Sequence, residues 1–594
     1  MDRGVDKKAG EQGGYRSNAE GIVGTVVKFK TDSTSIVKIG IVWGIPLLAL
    51  LVYFRMFAPS LPYWDEWFYV RHVLRLQDYS IFDVSDWAKL MECWPVNFRE
   101  HKVAIPFLLY WPVCTVFHFD SRWVIGLIVL LFLVKSRLYC IPVRHHVWSQ
   151  FPCVLVVLST SHYMEFLWGW QITITLSVLF AIGGIFVVSK GSGLSESGFR
   201  IRRGFFSASS LIAASWALLS SRITISSIGF LFAFYSSTSG IFGFIVGIPL
   251  LYLSKYSHRE RVCGTVVYSL LFWFCFMSIE RSGEAFVSVL SLRNFVYVFY
   301  SIGALLFSCA EGVYDLHVIG YVIAGVSVCL LIGIWFFRVW RSGDSFQRYS
   351  LPVGYMLYGF FCIYSISASR EYVGNWHLQH VIPIVCGAYA ASFILKEFNP
   401  DRWSYGLYYS FWIVCMSSVI GSVSAFSVHG PFQKKAMDET AWMFPRHLEA
   451  PSPKFKRLEN AFGLSIDEVL FLSAYGHPVF SDDRAASWVP VDDRVNLSVF
   501  FGGDLVLQSR PGHFRIPQAD RSARLLAVVE GNDSKFKKLK AVFGDRELIL
   551  RKIDPIHFEP STDFHGDSCY AGWLMPSCMK SDFQILVEPD VKCE

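Results

Sequence analysis

Tyr63-Trp64-Asp65-Glu66-Trp67 sets two adjacent carboxylates among aromatic rings, directly after the first long apolar run. A carboxylate at the mouth of a partly dry cavity can take the proton of a hydroxyl nucleophile. Asp65 is the first candidate for that role and Glu66 the second. Further on, Glu100-His101-Lys102 offers an acid, a titratable imidazole and a fixed cation. Lys102 suits a phosphate counter-charge; Glu100 and His101 suit proton handling or metal ligation. A plainer reading competes: Trp and Tyr at a span end anchor helices at headgroup level, and the charged residues simply face water.

Two later segments carry similar chemistry. Glu165-Phe-Leu-Trp168-Gly169-Trp-Gln171 joins two apolar runs, and an acid drawn into lipid there would cost up to about 3 kcal/mol. Glu165 is therefore expected to face a cavity, a partner or the interface. Ser369-Arg370-Glu371-Tyr372 and Arg222 supply guanidinium groups, which grip phosphate with paired hydrogen bonds or snorkel to the interface. His162, His377 and His380 read as polar fillers near the surface. There is no Walker loop, no G-x-S-x-G elbow and no H-E-x-x-H, which removes support for nucleotide-driven pumps and covalent hydrolases.

The elements that must position these residues are membrane helices. The chain has 594 residues, 53% hydrophobic and only 17% charged, against about 25% charged in soluble domains, and its mean hydropathy is +0.39. Apolar runs near the crossing length of about 20 residues fall at 37–56, 122–139, 150–165, 170–189, 205–220, 238–254, 262–279, 317–337, 350–368, 377–396 and 405–426. Runs 103–119 and 292–310 are ambiguous. If both cross, the basic groups Lys135/Arg137/Arg144, Lys190/Arg200/Arg202/Arg203 and His258/Arg259/Arg261 fall outside, against the positive-inside tendency. If both lie along the interface or re-enter, every basic loop falls inside. Pro106 and Pro112 favour that reading for 103–119.

The expectation is an all-α polytopic domain of about eleven crossings, up to thirteen, with the N-terminus inside. A basic tail (1–36) precedes the membrane domain (37–427), whose first outer loop spans 57–121. Outer loops then hold Asp65, Glu66, Glu100, His101, Glu165, Gln171, Arg222, Glu280, Arg281, Arg370 and Glu371. Residues 428–594 read as a small β-rich domain outside the membrane, with strands at 496–501, 504–508 and 547–551. Eleven of the 14 cysteines lie in or beside the apolar region; in an oxidising compartment Cys569 and Cys578 could pair, leaving Cys593. No basic run is interleaved with stacking aromatics, so nucleic acid is not an expected partner.

Trp64-Asp65-Glu66-Trp67, Glu100-His101-Lys102-Val103, Glu165-x-x-Trp168-Gly169-x-Gln171 and Ser369-Arg370-Glu371-Tyr372 together resemble a group of bacterial polytopic proteins that look like GT-C superfamily glycosyltransferases. The resemblance covers about residues 40–425. It implies inverting transfer of a sugar from a polyprenyl-phosphate donor to a glycan, lipid or protein acceptor on the outer face of the bacterial inner membrane. Asp65 would be the general base, with Glu66 as understudy. Arg370 and Lys102 would hold the donor phosphate, and Glu100, His101, Glu165, Trp168, Gln171 and Tyr372 would line the substrate pocket. No cofactor is required, although a divalent metal near Asp65, Glu100 and His101 is compatible with the residue types. Competing readings are a transporter or flippase of a lipid-linked saccharide, which should show repeats and mid-membrane polar residues, and a non-catalytic envelope-assembly protein.

Overall fold

A computed structural model describes residues 33–76, 83–98, 101–191, 221–279, 291–307, 316–369, 374–449, 466–474 and 477, together with strand segments between 489 and 589. Over these residues the chain is mostly helical. Seven helices are long and apolar enough to cross a membrane: Ile36–Phe57, Gly169–Ser189, His258–Met277, Val318–Ser342, Phe346–Ser369, Asn375–Phe398 and Arg402–Asp438. Each coincides with an expected apolar run.

The helices used below are α1 (Ile36–Phe57), α2 (Glu66–Leu76), α3 (Ala104–Val116), α4 (Ser121–Tyr139), α5 (Val147–Leu158), α6 (Ile172–Ser189), α7 (Arg222–Ser236), α8 (Phe242–Leu253), α9 (His258–Met277), α10 (Leu292–Phe307), α11 (Leu316–Ser342), α12 (Ser350–Ser369), α13 (Ile382–Phe398), α14 (Arg402–Ser424), α15 (Gly430–Glu449) and α16 (Ile466–Ala474). At 13 residues, α3 is only about 20 Å long, short of the roughly 30 Å hydrocarbon core. α10 stands lengthwise and antiparallel on α11, since a Cβ on Gly303 would meet Tyr321 and one on Gly325 would meet Phe299. It is a limb of the bundle and does not lie flat on the interface.

Four expectations need correction. The run 150–165 is not one span, because α5 ends at Leu158 and Thr160–Phe166 is a 3-10 turn. The hydroxyl and carbonyl of Ser422 and the carbonyl of Ser418 on α14 take up the polar groups freed at Ser159 and Thr160, which is how a broken helix survives at membrane depth. Residues 221–237 are not a loop but α7, where Ser226 and Ser227 donate back to the Arg222 and Ile223 carbonyls at 2.7 and 2.8 Å. Such back-bonding lets a serine-rich stretch satisfy itself within a helix. Arg222 bonds the Gly191 carbonyl, at the end of α6 remote from Gln171, so it sits with Lys190 and not with the outer residues. Lys135 belongs to no basic loop: it is 1% exposed within the packed helices. The expected run 205–220 lies outside the described residues.

The chain after α14 passes through a π-helical turn, Ala425–His429, into α15. α16 docks on the first outer loop. Arg71 pairs with Glu468 at 2.8 Å, Phe119 meets Phe471 edge-on at 5.1 Å, and His477 Nε2 donates to the Ser60 carbonyl at 3.1 Å. Among the described residues, nine strands from Val489–Pro490 to Asp582–Pro589 pair antiparallel. Leu497–Phe501 lies between Asp504–Arg510 and Ala523–Val529.

Candidate functional site at the first outer loop

The loop carrying the two carboxylates begins with a turn in which the Glu66, Trp67 and Phe68 amides bond the Tyr63, Trp64 and Asp65 carbonyls. Trp64 is left-handed there, with φ +47°, a region that L-residues other than Gly, Asn and Asp visit at a cost. This twist sends neighbouring carboxylates to different surroundings. Asp65 is half-exposed, while Glu66 is fully buried. Glu66 accepts hydrogen bonds from Ser121 Oγ at 2.7 Å, Tyr110 OH at 3.2 Å and the Tyr63 amide at 3.2 Å. Burial pushes its carboxyl up to about 7, against the opposing pull of those hydrogen bonds. Glu66 thus ties the loop to α3 and α4, whereas Asp65 keeps an open side.

Gly169 explains part of the fit. A Cβ there would come within 2.5 Å of Glu66 Oε1, so the missing side chain lets the 165–171 segment close on the first loop. Trp168 then lies over Tyr63, its indole N–H donating to the Tyr63 carbonyl at 2.8 Å. The Trp64 and Trp168 ring centroids are 5.4 Å apart, and Trp376 joins both at 5.9 and 6.2 Å, all edge-to-face. Tyr63 stacks on Trp64 at 5.1 Å. Three indoles from distant parts of the chain therefore meet beside Asp65.

Beneath the rings lies a buried polar cluster. Gln379 Nε2 donates to Glu165 Oε2 at 2.5 Å and to Gln171 Oε1 at 3.5 Å. Its Oε1 accepts from Lys135 Nζ at 3.0 Å and from Thr175 at 3.3 Å. Lys135 also sits 3.3 Å over the Phe132 ring. Glu165 Oε1, Gln171 Nε2 and His380 Nδ1 are buried with no hydrogen-bond partner. Asn375 adds a second tie between the two 3-10 turns, accepting from the Met164 amide and donating to the Ser161 carbonyl, both at 3.1 Å. His162, His377 and His380 are all buried; the expectation that they are surface fillers fails because Thr160–Phe166 and Asn375–His380 fold inward.

Of the other expected site residues, His101 and Lys102 form a two-residue strand paired with Asn97–Phe98. Lys102 is 6% exposed and donates to Asn97 Oδ1 at 2.6 Å and to the Ser278 carbonyl at 2.8 Å. At most one of its three N–H donors is left for a phosphate. Glu100, Arg370 and Tyr372 lie outside the described residues. Among the described residues, no three His, Cys, Asp or Glu side chains gather as a metal site would require.

The fold adds Trp376, Asn375, Gln379 and Lys135, which residue type and spacing did not single out. The one available signal was the run Asn375-Trp-His-Leu-Gln-His380 close behind Ser369-Arg370, polar at the head of an apolar helix. Comparison with protein-family models, with curated proteins and with solved structures gives no match.

Proposed function

We propose that the protein is a membrane glycosyltransferase that moves a sugar from a polyprenyl-phosphate donor to a hydroxyl of a glycan, lipid or protein acceptor on the outer face. One observation carries this reading: Tyr63–Glu66, Trp168–Gln171 and Asn375–Gln379, far apart in sequence, meet around the half-exposed carboxylate of Asp65. A carboxylate beside packed indoles is partly desolvated yet reachable, as a general base for a hydroxyl requires. Asp65 takes the acceptor proton as the acceptor oxygen attacks the anomeric carbon. The bond from that carbon to phosphate oxygen breaks, and the polyprenyl phosphate leaves with the electron pair. Arg370 is assigned to that phosphate; Lys102, already bonded twice, supports the hairpin beside it. Glu66 is assigned a positioning role.

The same reading has eleven to thirteen crossings, the N-terminus inside, and the C-terminal strands outside as a β-rich domain. The docking of α16 on the first outer loop supports a shared face for loop and C-terminal region.

Asp65→Asn should abolish sugar transfer from lipid-linked donors in membranes while expression stays normal. Full activity in that variant removes Asp65 as base. The buried Lys135–Gln379–Glu165 cluster favours a second reading, a transporter of a lipid-linked saccharide, because intramembrane ionisable groups often mark transport paths. Reconstituted vesicles decide: translocation of a lipid-linked saccharide without a new glycosidic bond would replace the enzyme reading.

A further inference from the structure

We propose that Trp64, Trp168 and Trp376 form a stacking site for a pyranose ring whose hydroxyl edge is held by Asp65. This deepens the glycosyltransferase reading and rests on it for the ligand's role in a reaction.

The aromatic-belt explanation does not account for these rings. Belt residues face lipid and headgroups from their own helices, whereas these three come from segments around residues 64, 168 and 376 and touch one another. Trp168 is 3% exposed and spends its N–H on the Tyr63 carbonyl. Trp64 and Trp376 stay half-buried, so the cluster keeps accessible aromatic surface. Indole faces carry negative potential and attract polarised C–H groups. A pyranose offers such C–H groups on its faces and hydroxyls around its rim. An isoprenoid chain has the C–H groups but nothing to occupy a neighbouring carboxylate. The pairing of three indoles with Asp65 therefore selects a saccharide over a lipid tail.

The rings are also held ready. Trp168 follows Glu165 by three residues, and Trp376 precedes Gln379 by three. The Glu165–Gln379 bond at 2.5 Å and both Asn375 bonds at 3.1 Å lock the two turns together. A site whose aromatics are fixed before binding avoids the ordering cost that weakens flexible surfaces.

The test uses the full-length protein in nanodiscs and saturation-transfer NMR with methyl glucoside, methyl galactoside and methyl mannoside. At least one glycoside should receive saturation on the C–H protons of one ring face, in the wild type and in Asp65→Asn alike. Trp376→Ala should weaken that binding about tenfold or more, and Trp376→Phe should keep most of it. No signal from any of the three glycosides overturns the proposal, as does unchanged binding in Trp376→Ala. Should Trp376→Ala fail to fold, Trp376→Phe against Trp376→Leu decides on the same terms: equal binding by both overturns it. A polyprenyl-phosphate sugar that competes with the glycoside assigns the site to the donor; simultaneous binding assigns it to the acceptor. Binding without transfer in the wild type sinks the enzyme reading and leaves this site standing.

Discussion

Lys135 and Glu165 make no ion pair; the side-chain amide of Gln379 stands between them, accepting from the ammonium at 3.0 Å and donating to the carboxylate at 2.5 Å. Its carbonyl end faces the cation and its NH2 end the anion, so one dipole serves both buried groups. Gln379→Leu keeps the bulk and removes both bonds. Breaking a buried charge network in this way costs about 3–5 kcal/mol. Thermal unfolding in detergent should show that loss, and a Lys135→Met, Glu165→Gln, Gln379→Leu triple variant should recover part of it. A triple variant less stable than Gln379→Leu alone would refute the bridging role.

Glu66 makes stability depend on pH with a definite sign. Burial raises its carboxyl from 4.5 to about 7, so the native state holds a proton over that window that the unfolded chain has lost. Stability should then fall as pH rises from about 4.5 to 7, by roughly 3 kcal/mol at about 1.4 kcal/mol per unit. Glu66→Gln should flatten this slope. Melting curves between pH 4.5 and 8 test it, and an equal slope in both proteins contradicts the assignment.

Gly169→Ala pushes a methyl group against Glu66 Oε1. Overpacking of this kind costs about 1–3 kcal/mol, paid where the 165–171 segment closes on the first loop. Sugar transfer should fall more steeply than expression, and Glu66→Ala combined with Gly169→Ala should relieve the clash. An unaltered transfer rate in Gly169→Ala would show that the contact is loose.

Docking of α16 offers a charge test. Arg71→Glu and Glu468→Arg should each loosen the contact and speed protease cleavage near residue 465, while the double swap restores protection. An exposed pair gives up to about 1 kcal/mol, so the effect should be modest and salt-sensitive. His477 adds a pH term: burial lowers its pKa to about 4. Docking should be complete above about pH 6.5 and weaken as pH falls toward 4, because undocked His477 takes up a proton that the docked form resists. Protection that does not change between pH 7 and 4.5 would exclude this coupling.

Hydropathy located the seven long helices, because burial in lipid and apolar composition are one signal. It failed where polar groups are satisfied locally. Ser226 and Ser227 made α7 look like a loop, since their return bonds to the helix backbone leave no mark on composition. Lys135, near the end of an apolar run, passed for a cytoplasmic charge; side chains lean toward the helix N-terminus, which draws its ammonium back over Phe132. Asp65, Glu66, Trp168 and Glu165 were visible as charges and rings at span ends. That Asp65 and Glu66 part company was not visible, because it depends on the left-handed turn at Trp64. Trp376 and Gln379 come into play only through contacts spanning hundreds of residues, which no local spacing encodes.

The helical run Arg402–Asp438 contains 37 residues and is roughly 55 Å long at about 1.5 Å per residue. A bilayer core of about 30 Å hides little more than half of it. The remainder stands clear of the lipid like a mast, with its polar stretch beginning at Gly430. Phe471, further along the chain, nevertheless touches Phe119 in the first loop. The chain thus climbs away from the surface and comes back down to it, arching over ground that includes Asp65. An acceptor attached to a bulky macromolecule would have to pass beneath that arch, which makes the length of the mast a size limit on what can be modified.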